Sequence, residues 1–247
     1  MKKASRWHVS IVGCLISVPV FSSDTGQISV VDIGNQPGYS AYTSGKAIAA
    51  IHQGNCSYSI MLLENQYVRF NTPDVVFLES KNVPKDKSWP YLTQAEMSAG
   101  YNWNFKKDSD LKSKWFGLMC DGAENFDLQG TGISSNPEEV SPVFQDVKEA
   151  NNLKCPATLT DKGWVPNNNA GRPEEYIFQE LNGANWSGFI FGFRNKKKDS
   201  ITRVSFCLVR DGNVLVGAAE NYSKPLLLDQ KSFEEIKATL ETVKFLQ

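Results

Sequence analysis

A chain of 247 residues, 41% of them hydrophobic and 21% charged, can bury one large core or two small ones but not three. Its 18 glycines and 11 prolines are ordinary usage and argue against a collagen-like or largely disordered chain. Only His8 and His52 are present, and His8 lies in a stretch read below as a removed leader; one remaining histidine cannot build a multi-histidine metal site, and a Ser-His-Asp or Cys-His engine would have to be built around His52.

Residues 1–22 read as a secretory signal peptide, to be removed after Ser22. Lys2, Lys3 and Arg6 precede an apolar run from Val9 to Phe21, which is too short for a permanent membrane span. Ile11-Val12-Gly13-Cys14 also fits a lipobox, in which Cys14 would be acylated, but that would leave the apolar Leu15 to Phe21 as a mature N-terminus. Ordinary cleavage fits the length of the run better, and the periplasm is the expected destination. Of the 26 bases, three lie in this leader, and none of the 27 acids does, so the remainder has 23 bases and a formal charge of −4. Nucleic acid is a poor ligand for such a chain, because phosphate binding needs a concentrated basic surface. Cys56, Cys120, Cys155 and Cys207 remain. An even set of four in an exported protein suggests two disulfides with three possible connectivities, and the absence of a CxxC pair disfavours zinc.

In chain order, Lys46 to His52 suggests a short helix before Cys56, followed by strands over Ser59 to Leu63 and Tyr67 to Phe70. Tyr101 to Phe105 alternates polar with aromatic residues, Lys106 to Lys112 makes a charged turn, and Lys114 to Cys120 returns as a strand ahead of Asp121-Gly122. Gly130 to Ser141 is rich in turn formers and reads as a link. Pro142 to Asn152 suggests a second short helix, with Val143, Phe144 and Val147 at helical spacing, leading into Cys155. Ala184 to Arg194, Ile201 to Arg210 and Asn213 to Glu220 read as three antiparallel strands. They are joined by a solvated turn at Lys196-Lys197-Lys198 and by the hairpin signal Asp211-Gly212. Ser232-Phe233-Glu234-Glu235 fits a capping box opening a last helix, whose stripe is Phe233, Ile236, Leu240, Val243 and Phe245.

The layout of helix, cysteine, strands and cysteine-bearing strand occurs twice. The expected fold is therefore α/β (α+β) in two similar units, 23–135 and 136–247, each an antiparallel sheet covered by helices. This duplication favours pairing within each half, Cys56 with Cys120 and Cys155 with Cys207.

Arg203-Val204-Ser205-Phe206-Cys207, Asp211-Gly212, Val214-Leu215-Val216-Gly217 and the final Phe233, Ile236, Leu240, Val243 helix resemble the last strands and helix of the Mog1/PsbP-like fold. The whole layout resembles a periplasmic immunity protein, an antitoxin that neutralises a type VI secretion effector such as a lipase. That resemblance implies binding rather than catalysis, no cofactor, and a cognate toxin as partner.

Catalytic motifs are not complete. Gly38-Tyr39-Ser40-Ala41-Tyr42 lacks the second glycine of a nucleophile elbow, and Ser44-Gly45-Lys46 lacks the leading glycine of a phosphate loop, having Ser40 there. His52 and Cys56 lie four apart, but Gly54-Asn55 would break a helix between them, and an exported Cys56 is better read as oxidised. Asp108-Ser109-Asp110, Glu138-Glu139, Glu174-Glu175 and Glu234-Glu235 could supply carboxylates, although adjacent acids are more often solvated; a carboxylate-dependent hydrolase is the first alternative. An envelope ligand-binding module is the second. Aromatics beside polar loops suggest interface anchors, so Trp89, Tyr91, Trp164, Asn168 and Arg172 are the candidate partner contacts. The competing expectation is that each tryptophan caps its own core.

Overall fold

The computed structural model describes residues 28–34, 36–43, 45–97, 100–106, 113–130, 141–220 and 227–246. The signal sequence and the expected boundary at residue 135 lie outside them. The chain forms strands β1 (Ser29–Ile33), β2 (Ser40–Tyr42), β3 (Ala47–Gln53), β4 (Cys56–Leu62), β5 (Gln66–Phe70), β6 (Val75–Glu79), β7 (Tyr91–Met97), β8 (Gly100–Lys106) and β9 (Trp115–Gly122). Helix α1 (Pro142–Lys154) follows, then β10 (Ala157–Thr160), β11 (Gly163–Pro166), β12 (Tyr176–Asn182), β13 (Ser187–Arg194), β14 (Ile201–Arg210) and β15 (Asn213–Glu220). Helix α2 (Gln230–Leu240) and β16 (Lys244–Phe245) end the described chain. The described residues are thus mostly β-sheet with two α-helices, within the broad α/β class expected.

One eight-stranded antiparallel sheet is the spine, in the order β12-β13-β14-β15-β9-β6-β5-β2. Both halves contribute four strands, running from an outer edge inward, and meet where β15 pairs with β9 from Asn213↔Gly122 to Ala218↔Gly117. Glycines let rings lie flat on this seam. A Cβ on Gly117 would stand 2.2 Å from the Phe105 ring, and one on Gly217 would stand 2.2 Å from the Phe206 ring.

A smaller sheet, β1-β3-β4-β16, packs on one face of the spine and again draws strands from both halves, since β16 pairs with β4. Its buried residues alternate along β3 and β4, as a half-buried strand requires: Ala47, Ala49 and Ile51, then Tyr58, Ile60 and Leu62. Helix α2 covers the rest of that face through Phe233, Ile236 and Leu240, with the Phe233 ring resting over Gly192. The opposite face is covered by the β7–β8 hairpin, α1 and the β10–β11 hairpin. Asn151 fixes α1 there: its Oδ1 accepts from Trp103 Nε1 at 2.8 Å, and its Nδ2 donates to Asp121 Oδ2 at 3.0 Å.

The disulfides are Cys56–Cys120 and Cys155–Cys207, the pairing within halves that the duplicated layout favours. The first bolts the small sheet to the spine, and the second bolts the end of α1 to β14. Both fit an oxidising, exported compartment. No helix among the described residues is long and apolar enough to cross a membrane.

Two local expectations are corrected. Residues 46–52 are not helical but supply β3, because Gly54-Asn55 turns the chain into a hairpin with β4, Gly54 taking φ +56°. Helix α2 starts earlier than the Ser232 capping box implies. Asp229 is its N-cap and accepts from the Ser232 amide at 2.8 Å, because the pairing of Leu228 with Ile201 fixes the chain just before it.

Candidate interaction site

The residues singled out as partner contacts do not form one patch. Trp89 is 5% exposed, edge-on to Tyr67 and beneath the Arg69 guanidinium. Trp164 is 2% exposed, packs on Phe189 and donates to Ser187 Oγ at 3.1 Å. Trp89 pins a loop and Trp164 pins β11 to the core, and neither stands out as an anchor, so burial of a large apolar ring has won over exposure. They sit over β5 and β13, five strand spacings apart in the spine, or about 24 Å. Tyr91 is half-buried at the start of β7, while Asn168 and Arg172 are exposed in two 3-10 turns before β12. Arg172 is engaged by Glu175 and Glu174.

A more unusual charge arrangement lies at the end of the second half, on the α1 side of the spine. On β14, Cys207 faces α1, and the two-residue period of a strand puts Ser205 and Arg203 on the same face. Arg203 is cross-strand neighbour to Phe193 on one side and Glu220 on the other. Its guanidinium carbon stacks 3.8 Å above the Phe193 ring centre. Phe193 is itself stacked on Phe191, which Tyr176 meets edge-on. Glu220 turns to the other cation. Lys154, the last residue of α1, donates to Glu220 Oε1 at 2.8 Å and to Asn104 Oδ1, and its ammonium sits 5.1 Å from the Trp103 ring. The Lys154 and Glu220 side chains are only 9% and 13% exposed.

Two cations thus share one carboxylate in a poorly hydrated place. Burial pushes the Lys154 and Arg203 pKa values down, and Glu220 opposes the shift in both. Among the described residues, none accepts a hydrogen bond from the Arg203 guanidinium. The parity of Arg203 with Cys207 is the signal by which the sequence could have pointed to this site.

Two other clusters are simpler. An open cleft between α2 and the spine is lined by Glu79, Lys114, Glu235 and Thr239. Lys114 bridges Glu79 Oε2, at 3.0 Å, and Glu235 Oε2, and so ties α2 to β6; Glu235 also pairs with Lys231 one turn earlier, at 3.7 Å. On the outer face of the small sheet, Ser57 Oγ lies 3.0 Å from His52 Nδ1, and Asp32 Oδ1 lies 3.9 Å from His52 Nε2. That row has the residue types of a hydrolytic triad. The aspartate is beyond hydrogen-bonding distance, and both it and the imidazole are well exposed. Cys56 is a disulfide partner and no thiolate for His52. No group of three or more His, Cys, Asp or Glu among the described residues is arranged to hold a metal ion.

Comparison of the chain with protein-family models, characterised proteins and solved structures finds no match.

Proposed function

We propose that the chain is an exported binding protein of the immunity type, which neutralises a type VI secretion effector, such as a lipase, by covering its active site. The observation that carries this reading is the half-buried Arg203, stacked on Phe193 and lacking a hydrogen-bond acceptor among the described residues. Beside it, segments 167–175 and 195–200, exposed at 168–169, 171–174 and 196–199, stand at the same end of the spine. Stacked arginines and aromatics are the residue types that dominate protein-binding surfaces. A braced sheet supports the same reading, because a rigid scaffold lowers the ordering cost of binding.

The proposal includes a signal sequence over residues 1–22, a periplasmic location, and descent of the two halves from one Mog1/PsbP-like unit. In support of the last point, each half supplies four antiparallel spine strands and one disulfide. Among the initial candidates, Asn168 and Arg172 keep a role as contacts at the rim.

The test is calorimetry of residues 23–247 against the product of the neighbouring effector reading frame. An equimolar complex that abolishes the effector's activity is expected. No heat of binding at micromolar concentrations would overturn the reading.

A further inference from the structure

The cluster of Lys154, Arg203 and Glu220 carries two cations for one anion. We propose that Arg203 is a receptor for a carboxylate side chain of the protein partner, with Phe193 as its floor. This deepens the binding-protein reading and rests on it.

Glu220 attracts Arg203 through its charge but accepts no hydrogen bond from it. Its carboxylate is held by Lys154 at 2.8 Å, although the register places Arg203 directly across from Glu220. Stacking on Phe193 occupies one face of the guanidinium and leaves its edge, with five N–H donors, for a planar acceptor. A carboxylate fits that edge with two parallel hydrogen bonds, and the partial burial that makes a lone cation costly strengthens such a pair.

Nearby acids are otherwise engaged. Glu174 and Glu175 hold Arg172, and Asp199 accepts from Asn195. The stretch 221–226 that follows Glu220 reads Asn-Tyr-Ser-Lys-Pro-Leu and contains no acid. Asp108 and Asp110 lie outside the described residues and are the rival source of counter-charge from this chain.

The surroundings favour an acidic visitor. Exposed Lys196, Lys197 and Lys198 fill the turn between β13 and β14, adjoining Arg203 at the start of β14. The field of Lys198 reaches Glu175 in the neighbouring loop. On a chain whose residues beyond 22 sum to −4, this end can steer a negatively charged patch toward the buried cation.

The experiment follows the side-chain Nε–Hε resonance of Arg203 in the intact, oxidised protein during titration with acetyl-Gly-Glu-Gly-amide, its Gln counterpart and inorganic phosphate. The Glu peptide should shift the resonance with a Kd on the order of millimolar, and the Gln peptide should not. Arg203→Lys should weaken the response severalfold by losing the two-bond geometry. Lack of any shift in the wild type would overturn the proposal. So would a shift appearing only after Asp108 and Asp110 are changed to Asn, which would make the counter-charge the chain's own. Phosphate binding ten times more tightly than the Glu peptide would assign the site to a free oxyanion instead. With the effector complex in hand, Arg203→Gln should weaken it at least about thirtyfold, while the variant's own melting shows that it is folded. Unchanged affinity would sink the carboxylate receptor and leave the immunity reading standing; the peptide titration succeeding without any effector complex would do the reverse.

Discussion

The two halves of the spine are built alike and covered differently. Each brings four antiparallel strands and one disulfide, yet the first half is backed by a second sheet and the second half by α2. On the other face, the first half lies under the β7–β8 hairpin, while α1 ends among the strands of the second and delivers Lys154 to Glu220. The first half's bridging charge, Lys114, is satisfied by two carboxylates. Among the described residues, the second half's Lys154 takes the hydrogen bond of the Glu220 carboxylate and leaves Arg203 without an acceptor. Equal frameworks therefore end in a closed electrostatic circuit on one side and, among the described residues, an open one on the other, which is the end proposed to receive a partner.

The disulfides test the likeness of the frameworks most strongly. They span sequence separations of 64 and 52 residues, for which chain entropy gives about 4 kcal/mol each and a difference of only about 0.2 kcal/mol. Replacing either pair with serines should lower stability in urea by similar amounts. A large loss from Cys56/Cys120 with almost none from Cys155/Cys207 would show that the second half is held by its helices, not by its covalent frame.

The seam comes next. Gly217→Ala puts a methyl against the Phe206 ring and 2.5 Å from the carbonyl oxygen of Gly117, an overpacking that should cost about 1–3 kcal/mol. Because β15 and β9 form one ladder, the loss should appear in a single unfolding transition sensed by Trp115 in the first half and Trp186 in the second. Two separate transitions would break the account of one shared sheet.

The smallest effect concerns Lys114. Its hydrogen bonds and ion pairs with Glu235 and Glu79 outweigh a burial penalty and raise its pKa above the ordinary 10.5. A raised lysine pKa means that the folded state holds the proton more tightly. The stabilisation is complete below the ordinary value and disappears as the pH rises through the higher folded one. Lys114→Met should cost no more than about 1 kcal/mol at neutral pH for this partly exposed group, and the difference from wild type should vanish in strong alkali. A deficit that persists there would assign the effect to packing.

How far the sequence revealed these features depended on the strength of local signals. β14 and β15 were legible to the residue because β-branched and aromatic runs flank Asp211-Gly212. β6 was not, since Val75-Val76-Phe77-Leu78 is buried on both faces and shows no alternation. β3 was mistaken for helix because Ala47-Ile48-Ala49-Ala50-Ile51 suits either state, and only its pairing with β1 and β4 decides. At the site, tryptophans next to polar loops suggested exposure, but the cores claimed both indoles. Arg203 went unnoticed because its importance comes from three partners far apart in sequence, Lys154, Phe193 and Glu220, which the sheet brings together.

Hydrogen–deuterium exchange on the chain alone and with the proposed effector locates the binding face. Binding should slow exchange in 167–175 and 193–203, while the outer face of the small sheet around His52 is unchanged. Protection concentrated on 29–33 and 47–62, with none around Arg203, would contradict this placement.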